Sequence, residues 1–112
     1  MDINNLTKIV IDFRNQRGWK KYHKQKDAVI GLICEAAELA EHFKWHNDKQ
    51  MKTYTQKYKK EIGEEISDVL YWLLLMSYDL KIDLEEAFKE KMKKNAIKYP
   101  VKKSYGKYFN KK

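Results

Sequence analysis

Residues 61–80 combine a long apolar helical pattern with carboxylates that border it. At about 100° per residue, a helix over this stretch carries one apolar stripe, formed by Ile62, Ile66, Val69, Leu73, Met76 and Leu80. Glu65 falls at the edge of that stripe, and Asp68 follows on the same flank. Because an ionised carboxylate against a packing face is unfavourable unless its charge is offset, these two acids need a compensating partner.

The same arrangement recurs upstream, between residues 29 and 43. The pattern predicts a second core face, made of Val29, Leu32, Ile33, Ala36, Ala40 and Phe43, with Glu35 and Glu38 at its edge. If the two helices pack antiparallel, both acidic pairs converge on one point. Converging carboxylates repel unless cations lie between them, and Mg²⁺ or Mn²⁺ are the ions that favour such oxygen ligands.

The low content of helix-breaking residues indicates an all-α chain. Only four glycines and one proline occur in 112 residues, which is enough chain for a single domain of three to five helices. The hydrophobic share of 43% predicts a packed core although 36% of the residues are charged. We expect one domain over residues 1–100, followed by a basic, partly ordered tail over residues 101–112.

Capping residues and hydrophobic periodicity predict four helices. The first runs from Asn4 or Asn5 to Gln16, and the second runs from an Asp27 cap to about Trp45. The third is long, beginning near Thr53 or Thr55 and ending at Leu80. The fourth follows an Asp83 cap with Glu86 three residues on, and Pro100 stops it.

The single cysteine predicts a buried free thiol in a reducing compartment. Cys34 lies mid-helix among small and apolar residues, and one cysteine forms no internal disulfide. The longest uncharged run, Val69 to Tyr78, is far shorter than a membrane span, and no apolar leader is evident. We expect a soluble cytoplasmic protein that has no membrane partner.

Other metal and catalytic chemistries find little support in the sequence. A di-iron bundle needs Glu-x-x-His, which is absent, and the histidines and the lone cysteine lack zinc spacing. Phosphate-loop, dinucleotide and serine-hydrolase motifs are also absent. Two rivals stay open: a basic domain that binds nucleic acid, which lacks an evident recognition helix and is the less favoured, and a non-catalytic helical interaction module. In the second, the acidic pairs are simply a solvated face.

The net charge of +8 favours anionic partners, and together with an acidic metal site it suits a polyphosphate. Lys91, Asn95 and Lys98 recur on one face of the fourth helix and are candidate phosphate contacts, although alone they are as expected for a solvated face. Candidate base-stacking residues lie at or near loop ends, namely Trp19, Tyr22, His23 and Trp45.

Together these residues resemble the MazG-like nucleoside triphosphate pyrophosphohydrolases of the all-α NTP pyrophosphatase superfamily, closest to the short branch that includes dCTP pyrophosphatases. The core of the resemblance is E-x-x-E followed by E-x-x-D, carried by Glu35 and Glu38 and by Glu65 and Asp68. It extends from about residue 6 to residue 100. The flanks that support it are Phe13, Arg17, Gly18, Trp19 and His23 upstream, and Lys91, Met92, Asn95, Tyr99 and Pro100 downstream.

The resemblance implies a four-helix MazG-like bundle completed by oligomerisation, as a dimer or a tetramer with sites at subunit contacts. It implies Mg²⁺-dependent hydrolysis of (deoxy)nucleoside triphosphates to the monophosphate and pyrophosphate, with dCTP or modified nucleotides as substrates in nucleotide-pool house-cleaning. By that analogy the two acidic pairs ligate the metal, and Glu38 or Glu35 is the general base. The implied substrate contacts are Trp19, His23, Trp45, Lys91 and Asn95, with Trp72 at a position where relatives often carry tyrosine.

Overall fold

Residues 1–107 are described here from a computed structural model, and within them the structure is helical with no strand. The elements are α1 (Ile3–Gln16), a 3₁₀ turn (Lys20–Tyr22), α2 (Gln25–Glu41), α3 (Asp48–Lys57), α4 (Lys59–Asp79), α5 (Leu84–Lys98) and α6 (Val101–Ser104). The all-α prediction is confirmed, with six helices in place of the four expected. No helix among these residues is both long and apolar enough to cross a membrane.

The chain divides into two compact units, and the first ends at Lys81. In this unit α4 is the central helix: it packs most extensively against α2 and also contacts α1 and α3. The buried apolar side chains all belong to α1, α2 and α4, and they are Val10, Ile11, Ala28, Ile62, Leu74 and Leu75.

The starts of α1 and α2 differ from the prediction because other side chains satisfy their first amide groups. Asp2 caps α1 by accepting from the Asn5 amide at 2.9 Å, so Asn5 is the partner of the cap and not the cap. Lys24 precedes α2, and the Asp27 carboxylate accepts from the Lys24 amide at 3.2 Å from within the first turn. The 3₁₀ turn occupies part of the loop predicted before α2.

The predicted long third helix is wrong, since two helices replace it. Asn47 and Gln50 form a reciprocal capping box, with both amide-to-side-chain distances at 2.9 Å, and this begins α3 earlier than expected. The break falls at Tyr58, whose ψ of 25° departs from helical geometry. In addition α2 ends at Glu41, four residues before Trp45, because turns follow it.

A buried ion pair joins α1 to the end of α4. The Arg14 guanidinium donates to both carboxylate oxygens of Asp79, at 2.7 and 2.9 Å. The Arg14 side chain is 1% exposed and that of Asp79 is 12% exposed. Such two-point pairing fixes geometry as well as neutralising charge, so it sets the position of α1 along α4.

The predicted core faces of α2 and α4 are wrong in part, because several of their apolar residues are exposed within the chain. Ile33 is 61% exposed and Ile66 is 52% exposed, whereas Leu74 and Leu75 are fully buried. The reason is that α4 contacts α1 as well as α2. On the later turns of α4, the buried residues are therefore not those of the predicted stripe. The Cys34 thiol is also exposed and not buried.

The second unit, from Ile82 onward, contains α5 and α6. Asp83 caps α5 as predicted, accepting from the Glu86 amide at 3.1 Å, and α5 ends two residues before Pro100. The tail predicted to be partly ordered begins with the short helix α6. Residues 108–112 of that tail lie outside the described residues.

Candidate functional site

The pairing of α2 with α4 is antiparallel, which brings both acidic pairs together. Glu38 is within hydrogen-bonding distance of Glu65. Glu35 lies close enough to Asp68 for the two charges to interact. Further along, Gly31 faces Trp72. As the residue number falls along α2 it rises along α4, so the antiparallel packing on which the expected convergence depended is present.

Three of the predicted ligands form what we call the acidic cluster. One carboxylate oxygen from each of Glu35, Glu38 and Glu65 lies within 4.8 Å of the others. Glu35 and Glu65 are half-buried, and Glu38 is exposed. Asp68 is adjacent but does not complete this set in the described geometry. The acidic cluster can therefore hold a cation between three oxygens, with Asp68 one turn further along α4.

Burial and the charges of neighbouring carboxylates disfavour the ionised forms of Glu35 and Glu65. The pKa of Glu35 is raised, first by burial and then by the charges of Glu38, Asp68 and Glu65. The pKa of Glu65 is raised by burial, by the charge of Glu38 and by a hydrogen bond with Glu38, whereas His42 acts in the opposite sense. Each shift marks a place where charge is uncompensated.

No basic side chain within residues 1–107 forms an ion pair with the acidic cluster or with Asp68. One oxygen of Glu65, Oε1, is buried without a hydrogen-bond partner. An orphaned buried oxygen beside two further carboxylates fits a hard divalent cation, because such an ion accepts several oxygen ligands and offsets the charge. Exposed acidic groups alone are common, but the buried, unpartnered Oε1 of Glu65 is a second observation that fits a cation site.

A cavity of about 420 Å³ lies beside the acidic cluster. We call it the aromatic pocket, and it is lined by Ile9, Val10, Phe13, Trp19, His23, Glu35, Asp68, Tyr71 and Trp72. Apolar walls with a few polar groups are typical of small-molecule sites. Because Glu35 and Asp68 form part of its lining, the aromatic pocket opens onto the acidic end of the site.

The aromatic rings of the pocket hold one another by edge-to-face contacts. Trp19 contacts Phe13 at 5.8 Å and His23 at 5.9 Å between ring centroids. His23 contacts Trp72 at 5.1 Å, and Trp72 contacts Tyr71 at 5.2 Å. These distances lie in the favourable range for aromatic pairs, so the wall is continuous from α1 through the 3₁₀ turn to α4.

Two polar atoms of the pocket residues have no hydrogen-bond partner, Nδ1 of His23 and the hydroxyl of Tyr71. Burial lowers the pKa of His23, and the charge of Arg14 lowers it further, which favours the neutral imidazole. Burial raises the pKa of Tyr71, against opposing charges of Arg14 and Arg17. A neutral imidazole and a neutral phenol can each donate or accept a hydrogen bond.

Sequence reasoning did not select Tyr71 or Ile9 as pocket residues. Ile9, on α1, is 53% exposed and lines the aromatic pocket. Tyr71 could have been selected because it lies one residue before Trp72. On α4 the Tyr71 ring contacts α1 and the Trp72 ring contacts α2.

Within the first unit, the predicted substrate contact Trp45 does not line the aromatic pocket. Trp45 is 73% exposed, and its indole N–H donates to Glu41 at 3.2 Å. Lys91 and Asn95 belong to α5 in the second unit, where Lys91 is exposed and the Asn95 amide donates to Met92 sulfur at 3.7 Å. Their assigned roles stay predictions.

The comparisons with known proteins agree with the resemblance drawn from the motifs. Mouse (Mus musculus) dCTP pyrophosphatase 1 is 30% identical over 106 residues, which cover 93% of this chain and 62% of that protein. Human (Homo sapiens) dCTP pyrophosphatase 1 is 28% identical over 101 residues, covering 88% of this chain and 59% of that protein. The chain thus spans about three-fifths of the length of these curated relatives.

Among solved structures, the chain is similar to a pyrophosphatase from Archaeoglobus fulgidus. The TM-score is 0.82 and the sequence identity is 40%, over 87% of this chain and 91% of that one. The family model described as the MazG-like family matches residues 30–110, which include most of α2, all of α4 and the acidic cluster. On this match the chain belongs to the MazG-like family.

Proposed function

We propose that this chain is a pyrophosphohydrolase that cleaves (deoxy)nucleoside triphosphates to the monophosphate and pyrophosphate. The observation that carries the proposal is the direct junction of the acidic cluster with the aromatic pocket, through Glu35 and Asp68. One end suits a metal-bound polyphosphate and the other suits a planar base. The pyrophosphatases to which the chain is similar support the same reaction.

The metal we propose is Mg²⁺, with Mn²⁺ as the substitute. Glu35, Glu38 and Glu65 would hold it, and Asp68 is the fourth candidate, one turn along α4 from Glu65. When bound, such an ion supplies Lewis-acid polarisation of phosphate oxygens and lowers the pKa of water. The raised pKa values of Glu35 and Glu65 agree with a site whose charge is balanced by a cation.

The chain's own chemistry in the reaction is proton transfer by a carboxylate. Glu38, the exposed member of the acidic cluster, or Glu35 accepts the proton of a water positioned beside it. That water attacks the α-phosphorus, the bond from the α-phosphorus to the bridging oxygen breaks, and pyrophosphate leaves. Exposure of Glu38 lets the proton pass on to solvent after each turnover.

The aromatic pocket would orient the substrate by its base. Stacking on aromatic rings is tolerant of base identity and contributes about 1–3 kcal/mol per base. Trp72, Trp19 and His23 supply the rings. The unpartnered atoms of His23 and Tyr71 are the polar groups available to a base edge, and dCTP is the substrate we favour.

Trp45, Lys91 and Asn95 are proposed as further substrate contacts. Because Trp45 lies outside the aromatic pocket of its own chain, we propose that the active form contains a second copy of the chain, as a dimer or a tetramer. The exposed apolar residues of α2 and α4, such as Ile33 and Ile66, support that assembly. A molar mass of one chain by light scattering at working concentration would refute it.

The test of the activity is a pyrophosphate-release assay over the eight common nucleoside triphosphates, with Mg²⁺ or with EDTA. We expect metal-dependent release with the monophosphate as the co-product, fastest with dCTP. Release of inorganic phosphate with a diphosphate product would refute the assignment of attack at the α-phosphorus. Absence of turnover with every triphosphate would refute the proposal for canonical nucleotides.

A further inference from the structure

Gly31 and Trp72 make an unusually close approach across the α2–α4 pair. A Cβ placed on Gly31 would lie 2.5 Å from Cε2, 2.7 Å from Cζ2 and 3.0 Å from Cδ2 of Trp72. All three atoms belong to the fused ring system of the indole. Since real Cβ contacts are longer than this, the indole occupies the space that any other side chain at position 31 would need.

Gly31 is also a poor residue for its place in the helix. It lies inside α2, which runs from Gln25 to Glu41, and glycine disfavours helix interiors because its unfolded backbone has more freedom. Gly63 in α4 provides the contrast: a Cβ there would meet nothing within 4 Å. Only at position 31 does the absent side chain have a partner that explains it.

The Trp72 indole lies against α2 at Gly31 and also lines the aromatic pocket. Its other ring neighbours are His23, at 5.1 Å between centroids, and Tyr71, at 5.2 Å. Trp72, His23 and Tyr71 all line the aromatic pocket. A displacement of the indole away from α2 and toward His23 or Tyr71 would narrow the aromatic pocket.

We infer that Gly31 is a specificity-determining residue, which sets the width of the aromatic pocket by letting the Trp72 indole lie against the α2 backbone. The role is indirect, because Gly31 does not line the pocket, so it is a positioning residue. This inference rests on the proposed function in one respect, namely that the occupant of the pocket is a nucleobase. The pairing of Gly31 with Trp72 holds independently of the substrate.

The inference makes the size of the base the variable that position 31 controls. With glycine, the aromatic pocket keeps its full width. With alanine, the displaced indole reduces the width, so a purine loses more binding than a pyrimidine. The metal end is affected less, because the acidic cluster lies on other turns of the same two helices.

The first arm of the test needs no substrate. It compares Gly31→Ala, Gly63→Ala, Trp72→Phe and the double variant Gly31→Ala/Trp72→Phe in the full chain, by thermal midpoint and by near-ultraviolet circular dichroism. We expect Gly63→Ala to raise the midpoint, and Gly31→Ala to lower it and to change the tryptophan signal. In the Trp72→Phe background, which lacks the fused ring, Gly31→Ala should lower the midpoint much less.

If Gly31→Ala does not fold but the double variant does, the pairing is likewise supported. A loss of stability that is equal in both backgrounds would overturn it, because Trp72 would then not be the partner. Behaviour of Gly31→Ala like that of Gly63→Ala would overturn it as well. None of these outcomes depends on whether the protein hydrolyses nucleotides.

The second arm measures kcat and KM for dCTP and for dATP. For Gly31→Ala we expect KM for dATP to rise about tenfold, KM for dCTP to rise less, and kcat to change little for either. Gly63→Ala should leave all four values unchanged. Equal changes for both nucleotides, or a fall in kcat alone, would overturn the specificity role, whereas a wild-type protein that is inactive on every triphosphate would refute the proposed function and leave the first arm decisive.

Discussion

Two carboxylates of α4 are withdrawn from solvent, and the chain treats them in opposite ways. Asp79, at the last turn, receives both arms of the buried Arg14 guanidinium, at 2.7 and 2.9 Å. Glu65, in the middle, has an unpartnered buried oxygen and faces further carboxylates. They are separated by about 21 Å of helix.

We propose that the difference separates a structural charge from a functional one. At Asp79 the chain supplies its own cation, so folding alone satisfies the group. At Glu65 the described residues offer no paired cation, and the pKa is raised. A charge left uncompensated by the fold is typical of a ligand site, and the predictions below test this distinction.

The largest effect is expected at the unpaired end. Glu38→Gln removes the proposed proton acceptor and should lower kcat by about 10²- to 10⁴-fold, with the fold intact by far-ultraviolet circular dichroism. The control is Glu64→Gln, because Glu64 is exposed on α4 and lies outside the acidic cluster. Near wild-type kcat in Glu38→Gln, or an equal loss in Glu64→Gln, would contradict the assignment.

At the paired end, stability and not chemistry should respond. Arg14→Met leaves Asp79 buried without its cation and should destabilise the protein by about 3–5 kcal/mol, measured as the free energy of unfolding in urea. The control Lys8→Met breaks an exposed pair with Asp12, in which the lysine side chain is 77% exposed. That change should stay below about 1 kcal/mol; similar losses in both variants would argue against a structural role for the buried pair.

Bound metal should stabilise the folded protein through the acidic cluster and not through the pair of Arg14 with Asp79. Mg²⁺ at about one hundred times its dissociation constant is expected to add about 2.7 kcal/mol to the free energy of unfolding, and EDTA should reverse the gain. Glu65→Gln should abolish most of this stabilisation, whereas its neighbour Glu64→Gln, on the exposed side of α4, should keep it. The measurement is the thermal midpoint with and without Mg²⁺, and an unchanged gain in Glu65→Gln would count against the site.

The smallest effect is a pH dependence of opposite sign from ordinary acid denaturation. The pKa values of Glu35 and Glu65 are raised above the ordinary 4.5, so the folded protein binds their protons more readily than the unfolded chain does. Their contribution is fully present below the ordinary value and is lost as pH rises through the raised values. In the metal-free protein, Glu35 and Glu65 should therefore increase the free energy of unfolding as the pH is lowered from neutral. In the variant Glu35→Gln/Glu65→Gln, the free energy of unfolding measured in urea should change less with pH.

The acidic cluster could be predicted from the sequence because it depends on local spacing. Acids three residues apart at the edge of an apolar stripe share a helix flank, and the antiparallel pairing of α2 with α4, which the sequence left as a condition, brings Glu35, Glu38 and Glu65 together. What spacing alone did not determine is which flank is buried. Ile33 and Ile66 fit a core stripe as well as Leu74 does, and only the position of α1 decides between them.

The aromatic pocket was predicted in part, for a similar reason. Trp19 and His23 could be selected because they lie in a loop before an acidic helix. The break at Tyr58 depends on where each of the two helices begins. Hydrophobic periodicity does not determine where a helix begins. The close approach of Gly31 to Trp72 depends on the spacing between two helices, which no single-helix pattern contains.

The antiparallel register of α2 and α4 also fixes the distance along the helices between the acidic residues and the aromatic pocket. From Glu35 to Gly31, and from Asp68 to Trp72, the helix axis advances by about 6 Å for four residues. In the proposed function, a ligand that spans both ends must therefore match this distance between its ring and its charge. Inserting one residue between Asp68 and Trp72 would rotate the indole by about 100° around the helix. The position of the indole relative to the acidic residues can therefore change only in steps of one residue.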